Sequence, residues 1–227
     1  QYMWTHKRFK TQAKGKPESP YIAIRTPIQK TNRQHFNTMI EGSKVIEEQH
    51  TKDLTRLLSN NVLIRILPRS STKFFEKTPM QLFDTNARLL RLADIESIII
   101  DNIVKIKREN FIAATYFQPA GEKLTNISMT ELPLKELAKF LENVHHHGFF
   151  FKEIKLRKIY YSNNSFTIAN PENIRAGKKS VSYLERFANI QDLLNRLKLS
   201  QKNRTEFIQV YTSSAKLEHE FKFTKLF

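Results

Sequence analysis

From Gly42 onward, apolar and polar positions change places in short bursts. The runs SKVIEEQ (43–49), DLTRLLSNN (53–61) and VLIRIL (62–67) are strand-like and separated by polar residues, which predicts an antiparallel meander with a turn at Asn60-Asn61. A basic linker follows, and Leu82, Leu89, Leu90 and Leu92 then recur at helical spacing, predicting one helix after the three strands. Ile98–Ile100, Ile103–Ile106 and Phe111–Phe117 are β-branched or aromatic clusters broken by charged turns, and they read as further strands that end at PAGEKL (119–124). Beyond that point the period changes. Leu134, Leu137, Ala138, Leu141 and Val144 fall on one helical face, and Gly148 marks the helix end. After a loop through 149–175, YLERFANIQDLLNRLKL (183–199) and NRTEFIQVYTSSAKLEHE (203–220) predict a last helical region. Strands first and helices second make an α+β chain of two lobes.

The N-terminal residues behave differently. Pro17, Pro20 and Pro27 punctuate a stretch with no sustained helical period, so residues 1–41 read as a basic arm, extended or partly disordered. Residues 42–125 then form a sheet lobe with one helix, and 126–227 a mainly helical lobe. Charge strengthens this division. Residues 1–40 hold eight Lys/Arg and one acid, and the whole chain carries 38 Lys+Arg against 22 Asp+Glu, a formal net charge of +16 that favours polyanionic partners.

Composition removes several classes of chemistry. With no cysteine, disulfides, thiolate catalysis and cysteine-ligated zinc are excluded. No run of about 18 apolar residues occurs, and QYMWTHKRFK lacks an apolar signal core, so neither a spanning helix nor a signal segment is expected. His145-His146-His147 cannot chelate a metal from one helical face, because consecutive residues point in different directions. Phe149-Phe150-Phe151 fits core packing better than a stacking platform.

The order of elements, with four local stretches, resembles the bacterial lipopolysaccharide core kinases, the Kdo and heptose kinases with a protein-kinase-like fold. The stretches are Asn60–Arg65, Ala87–Ile95, His145–Ile154, which is similar to that family's H-x-x-G-x-x-H-x-D-L, and the helices around Leu193–Leu197 and Phe207–Tyr211. The resemblance spans about three-quarters of the chain and implies that Arg65 stands for the phosphate-pairing lysine, Glu153 for the catalytic aspartate, and Lys158 and Ala169 for the two metal-ligand positions. Asp84 is the candidate for the acid that partners the lysine position.

Read against phosphoryl transfer, which rests on phosphate positioning, metal and a base, the departures are severe. Glu47–Asp53 has no glycine and three acids where phosphate should be approached. A cation at Lys158 opposes Mg²⁺, and Ala169 cannot ligate it. The implied protein is a degenerate kinase, or pseudokinase, with no cofactor and no metal expected, acting as a binding or scaffold module through its arm and a basic cleft of Lys152, Lys155, Arg157, Lys158 and Arg175. Its expected partners are anionic: lipopolysaccharide, acidic lipid headgroups or an acidic protein. The expected location is the cytoplasm, with peripheral association at the inner membrane. Two rival readings stand behind it. One is an ATP- and Mg-dependent phosphotransferase acting on a sugar hydroxyl of a glycolipid, with Glu153 as base. The other is a nucleic-acid binder, suggested by the net charge and by aromatic residues near basic ones, though no known nucleic-acid motif occurs.

Overall fold

The alternating runs of the sequence are strands of one mixed sheet. The computed structural model describes residues 26–49, 53–58, 61–69, 78–177 and 179–215, so the first 25 residues of the basic arm and His50–Lys52 of the glycine-free segment lie outside the described residues. The architecture is α+β, with a sheet-rich unit and a mainly helical unit.

Two units divide the chain, the first comprising residues up to Pro119 together with Asn170–Glu172. Its strands are β1 (Ile28–Thr31), β2 (Lys44–Gln49), β3 (Asp53–Leu57), β4 (Val62–Pro68), β5 (Ile100–Ile106) and β6 (Phe111–Phe117), in the order β1-β5-β6-β4-β3-β2. Every neighbouring pair is antiparallel except β1 with β5. Successive side chains of a strand face opposite sides, so β4 divides into two sets. Ile64 and Ile66 join Val104, Ile106 and Ala113 around Phe36 of helix α1 (Arg33–Ile40). On the other side, helix α2 (Pro79–Leu92) packs on β4 and β6, where its Phe83 meets Tyr116 edge-on with ring centroids 5.7 Å apart. Thr78 caps α2 reciprocally with Gln81, and Pro79 occupies the first turn, where no amide is missed.

The second unit holds Ala120–Ala169 and the chain from Asn173. Helix α3 (Leu134–His146) packs along α5 (Gln201–Ala215), and α4 (Tyr183–Leu197) contacts strand β8 (Phe149–Phe151). Strands β7 (Glu122–Lys123), β9 (Ile159–Ser162) and β10 (Ser165–Ile168) form one small sheet, and β8 pairs with β11 (Ile174–Ala176) in another. Among the described residues no helix is long and apolar enough to cross a membrane.

Three expectations from sequence change. The described part of the arm is not simply extended: residues 28–31 add a parallel strand and residues 33–40 a helix. The physical reason lies in β5, whose amides need acceptors; Ile103 N–H donates to the Pro27 carbonyl and Lys107 N–H to that of Thr31, both at 2.9 Å. Ile98–Ile100 is not a separate strand, since the regular element runs from Ile100 to Ile106 with a bulge before Asn102. The loop through 149–175 contains four short strands.

Gly148 follows the end of α3 with φ +81°, and a Cβ there would lie 2.4 Å from the Lys179 carbonyl oxygen. Gly42 also has positive φ, +72°, but open space around it. Gly42→Ala should therefore cost only the left-handed backbone penalty, about 1 kcal/mol. Gly148→Ala adds the carbonyl clash and should cost roughly 2–3 kcal/mol in all. Urea midpoints of the two variants measure the difference.

Candidate functional site

Each unit contributes its own set of the residues expected from sequence. In the first, Arg65 lies on the central strand β4 with neighbours on both sides, Thr55 across from it on β3 and Ala114 on β6. Its side chain is 3% exposed, stacks on Phe83 with Cζ 5.2 Å from the ring centroid, and pairs with Glu172, Nη2 to Oε1 2.6 Å. A guanidinium is planar and weakly hydrated, which lets one face lie on an aromatic ring while an edge engages a carboxylate. Glu172 belongs to the three residues by which the chain returns to this unit, and α2 holds the same segment through buried Asn86, whose Nδ2 donates to the Pro171 carbonyl at 2.9 Å. Asp84 is placed elsewhere: it accepts from the Thr26 hydroxyl and pairs with Arg88 at 2.7 Å, an i,i+4 contact on α2. Arg91 donates to the Ile98 carbonyl, and burial pulls its pKa below the usual arginine value.

In the second unit, the segment that resembles a catalytic loop is anchored almost entirely through its backbone. Asn189 of α4 accepts from Phe151 N–H at 3.0 Å and donates to the Phe151 carbonyl at 2.8 Å. Lys152 N–H donates to the Asn173 carbonyl, Asn173 Nδ2 to that of Glu153, and Ile154 N–H to the Asp192 carboxylate. The Glu153 carboxylate, half-exposed, sits 3.6 Å from Lys155 Nζ and 3.8 Å from Arg196 Nη2. Lys158 ends a short 3-10 turn with its side chain buried, and its carbonyl accepts the Ala169 N–H at 2.8 Å. The two positions that the resemblance matches to metal ligands are thus backbone neighbours. Among the described residues no group of three or more His, Asp and Glu side chains is arranged to hold a metal.

The basic residues expected to line a cleft separate into kinds. Lys152 and Arg157 are exposed, and Lys155 faces Glu153. Arg175 pairs with Glu185 and stacks on Phe150 with Cζ 4.9 Å from the centroid. That hydrogen bond, followed by one from the Ser182 hydroxyl, holds the Glu185 carboxyl below the usual range.

Sequence reasoning missed Glu172 and the buried network beneath Phe151. Donor logic gives the network one direction: the Arg186 guanidinium donates to the Tyr211 oxygen at 3.1 Å, Tyr211 O–H to His145 Nδ1 at 2.8 Å, and His145 Nε2–H to Asn189 Oδ1 at 3.1 Å. The histidine must be neutral, and burial pushes its pKa down to about 3. Burial pushes Tyr211 up to about 12 and holds Glu142, 3.9 Å from Arg186, above its usual value. The only sequence signals were an Asn and an Arg on the inner face of a predicted helix.

These elements define the class of two-lobed protein-kinase-like folds. Among solved structures the chain is similar to WaaP, in the structure titled WaaP in complex with acyl carrier protein. The TM-score is 0.53 and the identity 9%, over 82% of this chain and 90% of that one. At that identity the likeness is one of fold, and it is kinase-like. No family model and no curated protein matches the sequence.

Two outcomes follow from the geometry. Removing one partner of a buried ion pair leaves a charge uncompensated, so Glu172→Ala should lose about 3 kcal/mol, while Arg65→Met combined with Glu172→Met should recover much of it; urea unfolding of the single and double variants tests this. For His145, the folded pKa of about 3 lies below the unfolded value of 6.5, so the unfolded state binds the extra proton between them. Stability should therefore fall as pH drops from 6.5 towards 3, with a slope approaching about 1.4 kcal/mol per pH unit. Glu142 acts in the opposite sense, so a pH series of His145→Gln beside the native chain isolates the histidine.

Proposed function

We propose that this chain is a kinase-fold protein that has given up metal-dependent phosphoryl transfer and serves as a binding or scaffold module. The observation that carries the reading is the contact of Ala169 N–H with the Lys158 carbonyl at 2.8 Å. Two positions that lie together, as ligands of one metal must, present a methyl group and an ammonium-bearing chain. Neither supplies the oxygen that Mg²⁺ requires, and the ammonium opposes its charge. Arg65 supports the same reading: its guanidinium is engaged by Glu172 and Phe83. Glu153, in the position of the base, is bracketed by Lys155 and Arg196. Its carboxylate serves as a partner of cations.

A module of this kind binds through its surface. The exposed Lys152 and Arg157 and the net charge of +16 suit an anionic partner, whether an acidic lipid headgroup, a lipopolysaccharide or an acidic protein. The similar WaaP structure is itself a complex with acyl carrier protein, which offers a parallel for a kinase-like fold engaging another protein.

Thermal unfolding with ATP, alone and with Mg²⁺ or Mn²⁺, tests the proposal. A change in Tm under about 1 °C at millimolar nucleotide is expected. Saturable, metal-dependent stabilisation that Arg65→Ala abolishes would overturn it and favour the phosphotransferase reading.

A further inference from the structure

Within the first unit, at the carboxyl ends of β1 and β5, lies an open cavity of about 660 Å³. Four chain segments deliver cations to it: Lys30 from β1, Lys105 from β5, Lys107 and Arg108 from the turn after β5, and Arg69 from the end of β4. The backbone fixes these positions. Lys30 stands opposite Lys105 in the parallel register, Lys107 N–H donates to the Thr31 carbonyl, and Arg69 N–H donates to that of Asn110 at 2.8 Å. Arg108 holds φ +64°, a left-handed conformation that a non-glycine residue rarely adopts.

Among the described residues no Asp or Glu lines the cavity, and none of the five cations has a carboxylate partner. The nearby Glu109 is engaged by Arg33 at 3.4 Å. Like charges opposite each other in adjacent strands repel, so this arrangement costs stability unless an anion occupies the space between them. We propose that this cavity binds a small molecule or headgroup bearing two or more phosphate groups. Its volume lies in the range of ligand pockets. One phosphate monoester carries about −1.5 to −2 charges, so five cations exceed what a single group neutralises. Thr31 and His35 line the same space and add hydrogen-bonding groups. The first turn of α1 is not what recognises the ligand, since Asn32 Oδ1 already accepts the His35 N–H. Among the described residues the lining holds no Phe, Tyr or Trp, the platforms on which single-stranded bases stack, which favours a phosphorylated small ligand over nucleic acid. This inference is independent of the residues matched to the kinase machinery, because none of them lines the cavity.

The test is calorimetric titration of the whole chain with sodium tripolyphosphate. Saturable binding is expected, weakened about tenfold or more in Lys105→Glu/Arg108→Glu. Lys139→Glu/Lys202→Glu alters net charge equally, at exposed residues of α3 and α5, and should leave the affinity within about twofold. Lys30→Gln supplies a milder variant should the double reversal fail to fold by circular dichroism. Phosphatidylcholine vesicles doped with a bisphosphorylated lipid separate the sources: vesicle binding that tripolyphosphate displaces assigns a headgroup, and tripolyphosphate binding without vesicle binding assigns a soluble ligand. Either supports the proposal. Equal weakening by both double variants, no saturable binding, or binding of a single-stranded oligonucleotide without tripolyphosphate binding would each overturn it.

Discussion

The ion pair between Arg65 and Glu172 is the constraint on which the first unit depends. A guanidinium in the middle strand of a sheet, 3% exposed, has lost most of its hydration, and only a matched carboxylate and a polarisable ring can offset that loss. Glu172 comes from a segment distant in sequence, so the pair closes only if the chain returns to this unit. It does so for three residues, with Asn86 holding Pro171 beside them. Asn170 directly follows Ala169, which bonds Lys158. One electrostatic requirement in β4 therefore fixes the course of a segment about 100 residues further along the chain. The positive charge at position 65 has a structural use that is independent of phosphate.

The second unit solves a comparable problem with neutral groups. Phe151 lies in a strand of three residues paired with the equally short β11, and Asn189 adds a side-chain anchor by satisfying both its N–H and its carbonyl. That use of Asn189 fixes the tautomer of His145, which in turn fixes the hydroxyl of Tyr211 and so the place of Arg186. Each group has one orientation that satisfies all the others. A buried polar chain of this kind is costly if any member is missing, and it gives the loop above it a single position.

How much of this could be read from the sequence depends on the range of the forces involved. Helix α3 was legible because five apolar residues share one face and Gly148 takes the left-handed φ that ends it. Strands β4 and β6 were legible because they are long and β-branched or aromatic. Strand β1 was not, because its residues are mostly exposed and carry no alternation; it exists because β5 has amides to satisfy. Strands β8 to β11 have only three or four residues each, below the length at which a period shows. At the site, the sequence supplied the identities of Arg65, Glu153, Lys158 and Ala169, which are local facts, and their matching to kinase positions rests on the resemblance. The partners were not legible, because Glu172 meets Arg65, Arg196 meets Glu153 and Glu185 meets Arg175 only through the fold.

Those partners redirect the question of where a protein of net charge +16 meets an anion. The basic loop was attractive because lysines and arginines crowd its sequence, yet folding sets Glu153 against Lys155 and Glu185 against Arg175, and it buries Lys158. Charge that is already compensated within a unit contributes little field outside it. At the ends of β1 and β5 the opposite holds. Five cations from four segments line a concavity with no carboxylate among its described lining residues, and two of them stand opposite each other on neighbouring strands. A fold that only needed to be stable would have placed an acid there. Because the strand that carries Lys30 belongs to the arm and pairs with β5, the arm's part in the fold and the charge of the cavity are the same feature.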